Sequence, residues 1–437
     1  MRSISRSFSS PPILSPTKIR RLQRTFHNVK LMVMCGMITI LVLRGTIGAG
    51  KFGTPAQDLR EIREHLPRRH KEAASRVLAE AHESRKKAPG DREEREEEEE
   101  RSAGSSPYSL GPKISDWNEQ RSQWLLKNRA GGAAATSKIL LVTGSQPNPC
   151  DNPVGDHYLL KSLKNKIDYC RIHGIEIFYN MAHLDSEMAG YWAKLPLLRN
   201  LLLSHPDVEW LWWMDSDAMF TDMSFAIPLD KYANHNMILH GWDELVYAKK
   251  NWIGLNTGSF LLRNCQWSLD LLDAWAPMGP KGKIREDAGK ILTRELVGRP
   301  EFEADDQSAL VYLLATQRSK WGDGVFLESS YYLHGYWAIL VDKYEEMIAK
   351  NHPGLGDDRW PLVTHFVGCK PCGSYGDYPV EQCLREMERA FNFGDNQILG
   401  GYGFQHRRLE SARVKRTRND TARPLDDLPS ISRVSSS

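Results

Sequence analysis

The sequence predicts an α/β fold with a mostly parallel central sheet, preceded by a membrane anchor and a spacer. In its 437 residues, short apolar runs that end in turn residues alternate with helical stretches, which is typical of a parallel sheet covered on both faces. All thirteen tryptophans lie at or after Trp117, and the long apolar run of residues 31–43 lies well before it. We therefore expect one folded domain in the later part of the chain.

The net charge of +3 conceals two regions of opposite sign. Residues 1–57 hold nine Lys or Arg and no acid, whereas the other 380 residues hold 49 basic and 55 acidic side chains. A nucleic-acid-binding protein usually carries its positive charge on the folded part. The basic segment 407–423 also lacks aromatic side chains for base stacking. The charge pattern therefore predicts no nucleic-acid partner.

The apolar run of residues 31–43 is the first predicted element. Thirteen residues are short for a membrane span, which usually needs about 20, but the run continues through Arg44 to residue 50 and thin membranes accept short spans. The preceding Lys and Arg residues predict a cytosolic tail over 1–30 and a single-pass signal-anchor over 31–50, with the rest of the chain lumenal. A cleaved signal peptide and a buried helix are the alternatives.

Residues 51–116 are predicted to form a lumenal stem, largely disordered or helical. The stretch has almost no aromatic side chains, and its segment DREEREEEEER is too acidic to bury a core. The folded domain is predicted to span 117–425, followed by a disordered tail over 426–437.

The folded domain begins with strand and helix signals in alternation. Ligands bind outside the carboxyl ends of strands in open α/β sheets, so side chains that directly follow a strand are candidates for chemistry. We predict strands over 138–143, 175–179, 208–214, 236–240 and 260–262, and helices over 157–173, 267–275 and 305–316.

Two acids follow the third predicted strand, in the segment WLWWMDSDAMF. Asp215 and Asp217 are separated by one residue, so on extended backbone their side chains point the same way and can share a divalent cation. An exposed turn is the alternative, because a single D-x-D occurs by chance in many loops. Charge at the end of a buried strand needs a compensating partner, which favours the metal site.

Two further groups of polar residues follow apolar segments. Asp305, Asp306 and Gln307 begin a predicted helix, where acids also serve as ordinary caps. In THFVGCKPC, His365 is either a core histidine or a ligand that suits Mn²⁺ beside carboxylates, and Lys370 offers a charge to a phosphate. Six cysteines after the anchor allow three disulfides in fifteen pairings. Asn419 begins the only N-glycosylation sequon.

Four segments resemble the plant glycosyltransferases of family 34, namely WWMDSDAMFTD, LNTGSFLLRNCQW, FEADDQSALVYLL and THFVGCKPCGSYGDY. The similarity extends over residues 139–424 and is closest to the xyloglucan 6-xylosyltransferase branch. It implies a GT-A type, Rossmann-like nucleotide-sugar transferase domain on a type II Golgi membrane protein. It also implies Mn²⁺-dependent transfer of xylose from UDP-xylose to O6 of glucosyl residues in a β-1,4-glucan, with the α configuration retained.

The resemblance also implies a role for each matching residue. Asp215, Asp217 and His365 match the metal ligands, Lys370 matches a pyrophosphate-binding lysine, and Asp305, Asp306 and Gln307 match acceptor-side and catalytic positions. The nucleotide-holding loop is matched by Thr143, Gly144 and Ser145, and a sugar-contacting loop by Asn256, Thr257 and Gly258.

Retention of configuration usually indicates a carboxylate nucleophile, but Gln307 is an amide and a poor nucleophile. We therefore favour a front-face mechanism, in which the acceptor attacks the sugar on the same side from which the leaving group departs. A glucan chain also needs aromatic contacts, although core packing is the commoner fate of any one aromatic residue. The candidates are Trp242, Trp252, Tyr331, Tyr332, Tyr336 and Trp337.

Two alternatives stay open at the level of sequence. One is a galactosyltransferase of the same fold that uses UDP-galactose on a mannan backbone. The other is a non-catalytic scaffold in a polysaccharide-synthase complex, which would predict decay of the acidic motifs, whereas all of them are present. Homo- or hetero-oligomers with other polysaccharide-synthesising enzymes are expected as partners.

Overall fold

The computed structural model describes residues 108–128, 138–150, 152–188, 190–373 and 376–418. The predicted cytosolic tail, signal-anchor and C-terminal tail lie outside these residues, as do Asn419 and all but the last nine residues of the predicted stem. Among the residues described, no helix is long and apolar enough to cross a membrane.

A six-stranded mixed sheet forms the centre of the domain. Its strands are β1 (Ile139–Gly144), β2 (Glu176–Asn180), β3 (Trp210–Met214), β5 (Met237–Gly241), β6 (Leu255–Arg263) and β7 (Val325–Glu328), with β4 (Ala218–Phe220) lying outside it. The strands lie in the order β2-β1-β3-β6-β5-β7. Five run in one direction and β6 runs against its neighbours β3 and β5. The predicted mostly parallel sheet is confirmed, with β6 as the exception.

Helices cover the sheet, and the three predicted helices are present as α2, α4 and α6. The helices of the described residues are α1 (Trp117–Asn128), α2 (Pro153–His173), α3 (Lys194–Ser204), α4 (Gln266–Trp275), α5 (Lys283–Glu295), α6 (Asp306–Thr316), α7 (Arg318–Trp321), α8 (Trp337–Leu340), α9 (Tyr344–Lys350) and α10 (Val380–Gly401). Both faces of the sheet are buried: Leu140 and Val142 of β1 pack in one core cluster, and Leu141 between them packs in another. Burial on both faces explains why β1 is a continuous apolar run over its first four residues.

A second, three-stranded sheet lies beside the first and carries His365. Its strands are β4, β8 (Gly335–Tyr336) and β9 (Val363–His365), in the order β4-β9-β8. Since β4 begins directly after Asp217, and Ala218 of β4 pairs with His365 of β9, this sheet brings the histidine to the acids. A separate hairpin pairs β10 (Phe404–His406) with β11 (Val414–Arg416).

The strand β6 corrects one expectation of the sequence analysis. Asn256, Thr257 and Gly258 were expected in a loop, but they lie within β6, which begins five residues earlier than predicted. Because β6 is antiparallel to β3, its first residues lie at the edge where β3 ends. The Asp215 amide donates a hydrogen bond to the Gly258 carbonyl over 2.7 Å, which fixes this junction.

Disulfides form between Cys150 and Cys372 and between Cys369 and Cys383. The six cysteines after the predicted anchor therefore form two disulfides, not the three that their number allows. Cys170 is buried and Cys265 is partly exposed, and both carry free thiols. The two disulfides tie the segment around Lys370 to α10 on one side and to the loop after β1 on the other.

The carboxylate of Asp395 on α10 is predicted to make stability depend on pH. Burial works to raise the pKa of Asp395, but hydrogen bonds and charge from His406 and Lys164 outweigh it and hold the pKa below its ordinary value. This stabilisation is therefore complete above the unfolded-state pKa of about 4 and is lost as pH falls through the folded-state pKa. Asp395→Asn should lower the free energy of unfolding at pH 7 by about 1–3 kcal/mol.

Urea unfolding of both proteins between pH 3 and pH 7 checks this prediction. The difference between them should shrink as the solution becomes more acidic than about pH 4. Asp287→Asn is the matched control, because it removes a carboxylate from an exposed ion pair with Lys283 and should leave stability unchanged. A pH-independent deficit for Asp395→Asn would contradict the assignment.

Candidate active site

Asp215, Asp217 and His365 meet at the carboxyl edge of the central sheet. The His365 Nε2 lies 3.2 Å from an oxygen of Asp217 and 3.7 Å from an oxygen of Asp215. One possible ligand atom from each residue lies within 4.8 Å of the other two. Two carboxylates and an imidazole are a donor set that suits Mn²⁺ and similar divalent cations. The residues predicted as metal ligands therefore fit such an ion.

Side chains of α2 hydrogen-bond to the backbone of the D-x-D turn and of the residue after it. The Ser162 hydroxyl donates to the Ser216 carbonyl over 2.6 Å, and the Lys166 ammonium donates to the Ala218 carbonyl over 2.6 Å. Burial lowers the pKa of Lys166 to about 7, although the charges of Asp217 and Asp215 oppose this. Two hydrogen bonds from α2 therefore fix the turn, one to a carbonyl within it and one to the carbonyl of the residue that follows it.

The charges of the cluster stabilise one another. Burial would lower the pKa of His365, but the carboxylates of Asp217 and Asp215 outweigh it and raise the pKa above its ordinary value. Burial would likewise raise the pKa of Asp217, and the charges of His365 and Lys370 hold it below its usual range. Asp217 is therefore held as a carboxylate, and the carboxylate is the form that binds a cation.

Gly258 leaves the space that the imidazole of His365 occupies. A Cβ atom at this position would lie 2.1 Å from the His365 Cε1 and 2.7 Å from its Nδ1. Such contacts are impossible, so a larger residue must displace the ring. The family resemblance implies that Gly258 contacts a sugar, and the structure shows in addition that it leaves room for the His365 imidazole.

Gly258→Ala is therefore predicted to weaken cation binding while leaving the domain folded. The added methyl group must rotate or shift the His365 ring, and we expect a loss of metal affinity of about 10–100-fold, as for other changes that misplace a ligand. A Mn²⁺ titration followed by the shift in unfolding temperature measures it. Ser268→Ala, which removes a buried hydroxyl in α4, is the control, and equal Mn²⁺ affinity for both variants would contradict the prediction.

A buried lysine that the sequence analysis missed joins the two acidic motifs. The Lys194 ammonium lies 2.7 Å from an Asp306 oxygen and 3.8 Å from an Asp215 oxygen, and it donates to the Thr257 carbonyl over 3.0 Å. Burial would lower the pKa of Lys194, but these carboxylates outweigh it and raise the pKa above its ordinary value. Lys194 is the first residue of α3 and lies in a mainly apolar segment. Nothing in the local sequence indicates that its side chain reaches the two acidic motifs.

The three residues of the DDQ motif have different surroundings. Asp305 is the N-cap of α6: its carboxylate accepts from the Ser308 amide over 2.7 Å and pairs with Arg299 at 3.0 Å. Asp306 is buried against Lys194. Capping, which the sequence left open as the alternative, is therefore what the Asp305 carboxylate does.

Gln307 is the member of the motif that faces the residues of β6. Its Oε1 accepts from the Asn256 side chain over 3.1 Å, and its Nε2 donates to the Trp252 carbonyl over 3.2 Å. The other end of the Asn256 side chain accepts from the Gly258 amide over 2.8 Å. These bonds fix the orientation of the Gln307 amide and tie it to the strand that borders the metal cluster.

The residues predicted to hold a nucleotide lie at the end of β1 and just beyond it. Thr143 is buried, and within the described chain its hydroxyl has no hydrogen-bond partner. Ser145 follows the strand, where its hydroxyl accepts from Tyr179 over 2.9 Å. The exposed Lys370 lies between the two disulfides, and its charge reaches Asp217. Lys370 therefore belongs to the same edge as the metal cluster.

The aromatic candidates separate into core and surface. Tyr331 and Trp337 are buried, so core packing explains them, whereas 45% of the surface of Trp242 is exposed. Trp242 lines a cavity of about 340 Å³ together with Asp243 and Leu327. The others, Trp252, Tyr332 and Tyr336, are partly buried.

A second histidine missed by the sequence analysis contacts the first. The Nδ1 atoms of His334 and His365 lie 2.9 Å apart. Burial, with a smaller contribution from the charge of His365, lowers the pKa of His334 well below its ordinary value. No spacing in the segment YYLHGYW signals this contact, because it depends on the pairing of β8 with β9.

The chain is similar to known glycosyltransferases. A family model described as the galactosyl transferase GMA12/MNN10 family matches residues 135–376. Xyloglucan 6-xylosyltransferase 2 of Arabidopsis thaliana is 63% identical over 436 residues, which cover 94% of each chain. Xyloglucan 6-xylosyltransferase 1 of the same organism is 65% identical over 430 residues, covering 94% of this chain and 93% of that protein.

Among solved structures, the chain is similar to two glycosyltransferases of low sequence identity. A glycosyltransferase involved in the glycosylation of the major capsid of PBCV-1 is 15% identical, covers 57% of this chain and 99% of its own, and has a TM-score of 0.35. The glycosyltransferase GlyE in Streptococcus pneumoniae TIGR4 is 14% identical, covers 61% of this chain and 64% of its own, and has a TM-score of 0.32.

Proposed function

The chain belongs to glycosyltransferase family 34 and is a glycosyltransferase, and from that premise we propose that it transfers xylose from UDP-xylose to O6 of glucosyl residues in a β-1,4-glucan. The α configuration of the sugar is retained, and the reaction depends on a divalent cation, Mn²⁺ being the expected one. The product is a xylosylated glucan of the kind found in xyloglucan, a polysaccharide of the plant cell wall.

One observation carries the proposal: the cation-binding set and the DDQ motif share one edge of the sheet. Lys194 contacts Asp215 on one side and Asp306 on the other, and β6 connects Gly258 at the metal cluster to Asn256 at Gln307. A nucleotide sugar with its diphosphate at the acids would therefore present its sugar to Gln307. This arrangement supports glycosyl transfer more than it supports a scaffold.

The residues of the site have distinct tasks in the proposed reaction. A divalent cation held by Asp215, Asp217 and His365 would supply positive charge to the leaving diphosphate. Lys370, exposed on its disulfide-tied segment, adds a second positive charge for the same group. Stabilisation of charge that develops in the transition state is usually the largest single contribution to catalysis. Thr143 and Ser145 border the position proposed for the nucleotide.

The contacts of the DDQ motif favour the front-face mechanism, because both of its carboxylates are already engaged by other side chains. Asp305 caps α6 and pairs with Arg299, and Asp306 is buried against Lys194. In the proposed step, the acceptor O6 forms a bond to C1 of xylose while the bond from C1 to the β-phosphate oxygen breaks. The O6 proton goes to the departing phosphate, and Gln307 stabilises the positive charge at C1.

The first part of the chain would place this domain in the Golgi lumen. We propose a type II arrangement, with residues 1–30 cytosolic and residues 31–50 in the membrane, on the strength of the charge asymmetry described above. The enzyme would act beside other polysaccharide-synthesising enzymes, and Asn419 would be a glycosylation site.

Transfer assays on the full-length chain test the proposed activity. Cello-oligosaccharide with UDP-xylose and Mn²⁺ should give a product with an α-1,6-linked xylose, identified by NMR, and chelation of the metal should stop the reaction. Faster transfer from UDP-galactose to a manno-oligosaccharide would overturn the assignment in favour of the galactosyl alternative. A covalent xylosyl adduct on Asp305 or Asp306 would overturn the front-face mechanism.

A further inference from the structure

His334 has no place in the mechanism above, yet it contacts a residue of the metal cluster. It directly precedes β8, whose residue Tyr336 pairs with His365 of β9. The two imidazole rings stand at 88° with their centroids 4.9 Å apart, and their Nδ1 atoms are separated by 2.9 Å. At that distance one Nδ1 donates a hydrogen bond and the other accepts it.

The geometry of His365 decides which nitrogen is the donor. Its Nε2 faces Asp217 and Asp215, so Nε2 is the atom that would bind a cation together with the two carboxylates. A ligating nitrogen needs its lone pair, and a neutral imidazole then carries its proton on the other nitrogen. In the cation-binding form, the His365 Nδ1 therefore donates to the His334 Nδ1.

The ring of His365 is confined from two sides. Gly258 lies so close to its Cε1 and Nδ1 that a Cβ atom would overlap the ring, and in the cation-binding form the His334 Nδ1 accepts the hydrogen bond from its Nδ1. Gly258 limits where the ring can lie, and His334 favours the tautomer with the proton on Nδ1, which leaves Nε2 free to bind a cation beside Asp217. Partners of this kind raise the affinity of ligating histidines for metal ions.

We propose that His334 is a positioning residue that fixes the tautomer and orientation of His365, and that it thereby sets the affinity of the site for a divalent cation. The inference rests on the cation dependence proposed above. The proposed role of His334 differs from packing. A side chain of equal size without an acceptor atom could fill the same space but could not accept the hydrogen bond from the His365 Nδ1.

Direct Mn²⁺ binding by the full-length chain tests the proposal without relying on activity. Free Mn²⁺ is measured by electron paramagnetic resonance for His334→Asn and His334→Leu, two variants of nearly equal size. Asn places an acceptor oxygen near the former Nδ1, whereas Leu offers none. We expect Leu to weaken binding by about 10–100-fold, and Asn to restore most of the affinity.

Two further variants make the comparison decisive. His334→Gln carries its amide near the former Nε2, so it should bind as weakly as Leu, and it serves as the test if the Leu variant does not fold. His173→Leu is the matched control: His173, the last residue of α2, is also partly buried and hydrogen-bonded to the Met223 carbonyl, and its loss should leave Mn²⁺ affinity unchanged.

The outcomes separate the two proposals. Wild-type chain that binds Mn²⁺, together with equal affinities for the Asn, Gln and Leu variants, would overturn the role of His334 and leave the proposed activity intact. Failure of the wild-type chain to bind Mn²⁺ would overturn the cation dependence of the proposed function, and the role of His334 with it.

Discussion

The double variant Asp215→Asn, Asp217→Asn is expected to remain folded and to lose nearly all glycosyl transfer. Asn keeps the shape of each side chain, and the amide oxygen at position 215 can still accept the 2.6 Å hydrogen bond from the Trp213 indole. Two negative charges disappear, and with them the carboxylate ligands of the cation. Loss of charge stabilisation at a leaving group costs about 10²–10³-fold in rate for a single contact, and two ligands should cost at least that.

Transfer rate and Mn²⁺-induced stabilisation should fall together. A bound ion raises the unfolding temperature only if it binds the folded chain, so the rise seen for the wild-type chain should vanish in the variant. Asp116→Asn, Glu119→Gln is the matched control: it removes the same two charges at α1, near the opposite end of β3, where Arg121 contacts the Val208 carbonyl. Undiminished transfer by the double Asp variant would contradict the cation site and favour a scaffold role.

The central sheet could be predicted because its strands are local patterns. The runs that became β1, β3 and β5 are almost entirely apolar, and β2 has apolar and aromatic residues at its centre, so their positions follow from the sequence alone. The direction of β6 could not be predicted, because it depends on pairing between residues far apart in the chain. For the same reason Asn256 and its neighbours were expected in a loop, although they are the start of a strand.

In the candidate site, too, local patterns could be predicted from the sequence and long-range contacts could not. The Asp215 and Asp217 pair was recognisable from spacing after a buried strand, and His365 joined them through the family resemblance. Lys194 and His334 were not recognisable, since each is one polar residue in an apolar segment and acquires its meaning only from tertiary contacts. Gly258 was singled out for contact with a sugar, but only the packing of β6 against β9 reveals its contact with His365.

The ion pair between Lys194 and Asp306 is expected to produce the largest effect on stability. Both side chains are nearly inaccessible, with 2% and 7% of their surfaces exposed, and their charged atoms lie 2.7 Å apart. Removing one partner of a buried pair leaves an uncompensated charge and costs about 3–5 kcal/mol. Lys194→Met, which keeps the length of the side chain, should therefore lower the free energy of unfolding by that amount.

The second variant, Lys194→Met with Asp306→Asn, isolates the charge effect. Since both charges are now absent, most of the stability should return, and urea unfolding of the two single variants and the double variant gives the coupling between the residues. The deficit of Lys194→Met alone should also shrink as pH falls, because the buried Asp306 can then take up a proton and become neutral.

A deficit below about 1 kcal/mol, the size expected for an exposed pair, would contradict a compensating role for Lys194. Transfer should remain impaired in the stable double variant, because the Lys194 ammonium also holds the Thr257 carbonyl and faces Asp215, contacts that methionine cannot replace.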